Sequence, residues 1–167
     1  MISLYLNKFW KWYERNLLLN TVIAASLFFW QLIHLYWLFD NVILFQIFGA
    51  SNFNVTGIWE SIIIIFDYVE IPSIIIVSIF YINELRKGFS WKPVLFLIFL
   101  NIQWLHLFWI TDQFVIDQLI NPEHQPILPM WLAWVAIFID YLELPVIYDT
   151  MKKAFIAIKN KVASRNL

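Results

Sequence analysis

The chain of 167 residues contains no cysteine. That excludes a disulfide framework, thiolate-bound zinc, iron–sulfur clusters and a cysteine nucleophile, and it leaves the redox compartment unmarked. Glycine is scarce as well, with 3 residues, too few for a glycine-rich phosphate loop. Charged side chains make up only 14 %, and a net charge of -1 offers no basic surface for nucleic acid. What fills the chain instead is 62 % hydrophobic and 20 % aromatic residues, at a mean hydropathy of +0.71. Soluble domains of this size are not built that way, and the composition is that of an integral membrane protein.

Four apolar stretches approach or exceed the roughly 20 residues that cross a bilayer as a helix. They are Leu17–Phe39, Ile58–Ile82, Val94–Thr111 and Met130–Tyr148. Lys8, Lys11 and Arg15 precede the first, Arg86, Lys87 and Lys92 separate the second from the third, and Lys152, Lys153, Lys159, Lys161 and Arg165 follow the fourth. The connections 40–57 and 112–129 carry no Lys or Arg but hold Asp40, Asp112, Asp117 and Glu123. By the positive-inside rule both termini are cytoplasmic, in a multi-pass protein of an inner membrane. The expected fold is an all-α, four-helix transmembrane bundle. It is divided into an interfacial amphipathic helix (1–16), two two-helix units (17–87 and 88–151) and a basic cytoplasmic tail (152–167).

The two units read as a tandem repeat. Gln31, His34, Trp37 and Asp40 in span one recur as Gln103, His106, Trp109 and Asp112 in span three, at a constant offset of 72. Asp67, Tyr68, Glu70 and Pro72 in span two recur as Asp140, Tyr141, Glu143 and Pro145 in span four, at an offset of 73. Each unit starts inside, goes out and returns, so the repeats run parallel and imply a pseudo-two-fold axis along the membrane normal.

These repeated residues are the unusual ones. His34 and His106 lie about 9 Å below the outer surface, and Asp67, Glu70, Asp140 and Glu143 at overlapping depth, on a rise of about 1.5 Å per residue. Asp67 and Glu70 share a helix face by their three-residue spacing, as do Asp140 and Glu143. Intramembrane carboxylates cost at least ~2.5–3.5 kcal/mol each, and no Lys or Arg lies in the spans to offset them. Protons, imidazolium ions or bound metals must do so. His34, Asp67, Glu70, His106, Asp140 and Glu143 together resemble, by ligand count, the di-iron and di-manganese carboxylate centres of helical bundles. Hard carboxylates with imidazoles suit Fe, Mn or Zn.

Around this set, Gln31 and Gln103 are placed to orient the imidazoles, and Asp40 and Asp112 to line the outer mouth. Trp37 and Trp109 are assigned to the interfacial aromatic belt. Pro72 and Pro145 are expected to kink their helices and release the carbonyls of Tyr68 and Tyr141. The function expected is that of a membrane-embedded di-metal oxidoreductase of the oxidase, hydroxylase or desaturase kind, acting on a lipid or other hydrophobic substrate. Other readings are a proton, cation or metal transporter or channel subunit, a structural subunit stapled by protonated histidines, and a bis-histidine haem protein. Paired acids without metal also suit double-bond isomerisation, as in the four-helix sterol-isomerase type of membrane protein. The aromatic N-terminal segment and the basic tail offer contact surfaces to a second copy or to another membrane subunit.

Overall fold

The computed structural model describes residues 2–48, 62, 68–112, 115, 116, 127 and 131–164. Among these residues there is no strand. Helix α1 spans Ile2–Arg15 and α2 Leu17–Leu38, which runs on through a π-helical turn, Phe39–Leu44, into the short α3, Phe45–Phe48. Helix α4 spans Glu70–Lys87, α5 Trp91–Asn101, α6 Gln103–Ile110, α7 Leu132–Tyr141 and α8 Leu144–Ala163.

Helices α5 and α6 are one column tightened at Ile102, and α7 and α8 another, tightened at 142–143, where Leu142 N–H bonds the Ile139 carbonyl and Glu143 N–H that of Asp140. With α2 and α4 this makes four columns. Helix α2 packs on α4 and α8, α4 on α5, α5 on α8, and α6 on α7, which closes them into a ring.

The inward stripe of each column follows helical spacing. On α2 it is Thr21, Ala24, Phe28, Gln31, His34, Leu35 and Leu38, and on α4 it is Glu70, Ser73, Ile74, Val77 and Tyr81, all buried. At an offset of 72 from the α2 stripe stand Pro93, Phe96, Leu100, Gln103, His106, Leu107 and Ile110, and these too are inward stripe positions. The outward face is apolar: Phe29, Trp30, Phe108 and Phe138 are 46–67 % exposed. Polar groups inside and aromatic rings outside reverse the soluble pattern and present a surface suited to lipid.

Two stretches, Leu17–Leu38 and Trp91–Ile110, are long and apolar enough to cross a membrane. The expected second span begins outside the described residues, and the fourth is interrupted at 142–143, where Leu142 and Glu143 form a turn between α7 and α8. Both prolines stand just past such a starting point: Pro145 is the second residue of α8 and Pro72 the third of α4. Leu142 and Glu143 keep helical backbone angles, so α7 and α8 remain one column in which Pro145 withdraws the N–H that would reach the Tyr141 carbonyl.

Candidate metal centre

Three columns bring His34, His106 and Asp140 together. Their side chains are 5 %, 2 % and 4 % exposed. His34 Nε2 lies 3.7 Å from Asp140 Oδ2, and His106 Nδ1 lies 3.2 Å from Asp140 Oδ1. The two imidazole centroids are 6.1 Å apart. One ligand atom from each residue falls within 4.8 Å of the other two, the arrangement of a group able to hold a metal ion. Ligands about 2.1 Å from a common ion stand roughly 3.0–3.4 Å from one another, a range that holds the 3.2 Å His106–Asp140 separation and lies just short of the 3.7 Å between His34 and Asp140.

The polar atoms of the trio are only partly matched by hydrogen bonds. Although His106 Nδ1 is close to Asp140 Oδ1, it makes no hydrogen bond, and among the described residues His106 Nε2, Asp140 Oδ2 and Glu143 Oε1 are buried without one as well. Each such atom costs about 1–3 kcal/mol when left unmatched. Next to this trio, Glu70 at the start of α4 and Glu143 between α7 and α8, 4 % and 3 % exposed, bring their carboxyls within interaction reach of each other. Two carboxyls so close in a buried setting favour a shared proton or a cation between them.

The remaining residues singled out by sequence fall into distinct roles. Gln103 donates its Nε2 hydrogen to the Ile139 carbonyl at 2.8 Å, so it fixes the backbone beside Asp140 and not an imidazole. Gln31 is buried at 3 %, and its Nε2 has no hydrogen-bond partner among the described residues. Tyr141 donates to the Leu35 carbonyl at 3.4 Å. Tyr68 meets Thr111 Oγ1 at 2.8 Å, and Thr111 in turn donates to the Leu107 carbonyl at 2.6 Å. Leu35 and Leu107 are 72 apart. The two tyrosines therefore address corresponding carbonyls, one directly and one through a hydroxyl.

Asp40 and Asp112 lie on π-helical turns, six residues beyond each histidine, and are 2 % and 8 % exposed. Asp67 lies outside the described residues. The belt assignment of Trp109 is corrected. It is 9 % exposed and packs in a core cluster with Ile110 and Ala136, its ring 6.4 Å from that of His106. Trp37 takes the corresponding place 6.1 Å from His34. Both indoles flank the centre, because the helix turn that points the imidazole inward carries the residue three positions on to the same face.

Sequence reading missed a second polar cluster, at the end of the columns away from the histidines. Asp149 on α8 is paired with Lys92 and with Lys153, the latter at 2.7 Å, and Lys153 also reaches Glu84 at 2.6 Å. Tyr81 donates to Asp149 Oδ2 at 3.0 Å and accepts from Thr150 at 3.0 Å. Burial alone would raise the Asp149 carboxyl, but the bonds from Lys153, Lys92 and Tyr81 outweigh it and hold the group below the usual carboxylate range. The available signal was a pair of acids, Glu84 and Asp149, standing next to the inner basic clusters.

No protein-family model, curated protein or solved structure matches the chain. The fold and the site define an all-helical protein with two apolar helices long enough to span a membrane and a buried His/Asp cluster able to hold a metal ion.

Proposed function

We propose that the chain is a four-span membrane protein whose interior holds a di-metal centre, and that it acts as an oxidoreductase on a lipid or other hydrophobic substrate. The observation that carries this reading is the convergence of His34, His106 and Asp140 from three columns, with ligand atoms within 4.8 Å in a buried interior. Two histidines and one carboxylate with open positions suit non-haem iron, and the same donors accept manganese or zinc. Glu70 and Glu143, paired beside the trio, are the donors for a second ion.

Bound iron or manganese would supply redox chemistry with oxygen, whereas zinc would supply only activated water. The chain's own residues do the rest. His34, His106 and Asp140 hold charge in an apolar setting, and Gln103 keeps Asp140 in place through Ile139. Glu70 and Glu143 retain a proton where no second cation sits. The aromatic exterior lets a hydrophobic substrate approach from the bilayer between helices.

Elemental analysis of protein purified in mild detergent tests the reading. About two ions of Fe, Mn or Zn per chain are expected. One ion per chain removes the second site, and stable metal-free protein that takes up none on reconstitution overturns the centre. An intense Soret band would instead favour haem. Oxygen uptake by the iron-loaded protein in the presence of membrane lipid, lost in His106→Ala, is the expected sign of oxidoreductase activity.

A further inference from the structure

Below the centre, toward the cytoplasm, the interior loses its polar character. Between Gln31 and Gln103 above and the Tyr81–Thr150 contact below, the inward positions are Phe28 of α2, Ile74 and Val77 of α4, Leu100 of α5, and Val146 and Ile147 of α8. None of the six is more than 2 % exposed. Every column contributes, and five of the six belong to one contiguous cluster, which Ala24 and Phe96 extend. Glu143 and Thr150, on either side of this layer, are seven residues apart, a rise of roughly 10 Å. In this buried layer the one inward hydroxyl named on α4, Ser73, is taken up by the Val69 carbonyl at 2.9 Å, so the layer offers neither water nor a cation a place to stop. The Asp149, Lys92, Lys153 and Glu84 cluster ties the column ends together beneath it.

Above the centre the charge pattern is the opposite. Asp40 and Asp112 sit six residues beyond the histidines, and no Lys or Arg lies between Arg15 and Arg86 or between Lys92 and Lys152. The outer half thus has a negative potential that concentrates cations.

We infer that the centre takes up and exchanges divalent cations from the outer half of the membrane alone, the inner half being closed by an apolar plug of Phe28, Ile74, Val77, Leu100, Val146 and Ile147. The inference rests on the metal-centre reading above. It also makes a through-going ion conduit incompatible with this packing.

The test uses the full chain, loaded with Zn2+ and reconstituted into phosphatidylcholine vesicles. Orientation is assigned by trypsin cleavage of the basic tail, and zinc release is followed after addition of the membrane-impermeant chelator EDTA outside. Vesicles with the tail inside are expected to lose zinc at least tenfold faster than vesicles with the tail outside. Equal release in both orientations, or faster release from the tail side, overturns the plug while leaving the centre standing. Val77→Asn and Phe28→Ala, made separately, are each expected to raise tail-side release at least tenfold at unchanged zinc loading. Unchanged release in both loaded variants also overturns it. Folded protein that binds no zinc in any orientation overturns the centre, and the plug's role with it.

Discussion

His106 separates a metal ligand from a buried ion pair. Replaced by Ala, it is expected to lower bound metal roughly tenfold or more, with helical circular dichroism retained, as read by elemental analysis of the purified variant. Gln103→Leu tests positioning: it strips the donor from the Ile139 carbonyl, at a cost of about 1–3 kcal/mol in detergent unfolding, and weakens metal binding although Gln103 touches no ion. Tyr13 gives the opposite case. It is 3 % exposed, its hydroxyl has no hydrogen-bond partner among the described residues, and burial, with Glu84 nearby, pushes its phenol up to about 12. Tyr13→Phe is therefore expected to leave stability unchanged or raise it by up to ~1–3 kcal/mol. At this scale the candidate site was legible because acids and histidines in an apolar run are conspicuous. Trp109 was misread because composition cannot tell an outward indole from one turned inward beside an imidazole. Gln103 was singled out, but its bond to a carbonyl on another column has no local signal.

Among the elements, α4, α5 and α8 are joined at the end away from the histidines by the Asp149 cluster, and this contact carries a pH signature. The Asp149 carboxyl is held low in the folded protein, so its contribution is present above the unfolded value near ~3.9. It is lost as pH falls through the lower folded value. Asp149→Asn is expected to cost about 1–3 kcal/mol at neutral pH, with the gap to the parent protein closing below pH ~4, as measured by unfolding in detergent across that range. Helix α1 is fastened at the same end, with Arg86 4.1 Å from the Trp10 ring and 3.6 Å from Glu14. Pro145 marks in sequence the turn at 142–143 between α7 and α8. The π-helical turns at Phe39–Leu44 and at Thr111, Asp112, Val115 and Ile116 were not legible, since an extra residue in a turn is set by what it packs against and leaves no periodic trace.

For the whole molecule, the decisive expectation is topology. The chain has no cysteine, so single introduced thiols report on a clean background. Asn54→Cys is expected to react with an impermeant maleimide from outside intact cells, and Ser164→Cys only after permeabilisation. Labelling of both from one side would remove the four-span arrangement. Helical content and the ring of columns followed from the apolar runs and the 72 and 73 offsets, whereas the apolar layer beneath the centre did not. Phe28, Val77, Leu100 and Val146 look in sequence like any other lipid-facing residue, and only packing reveals that they face one another.

The inward stripes of the two halves correspond position by position, and only Gly88, Phe89 and Ser90, all exposed, join α4 to α5. Each half thus carries one imidazole and its own Asp and Glu, and needs a second half to complete the ring. On the repeat read from the sequence, the chain corresponds to two half-bundles sewn end to end. Two separate chains cut at that link, expressed together, are expected to find each other in the membrane and co-purify with metal bound.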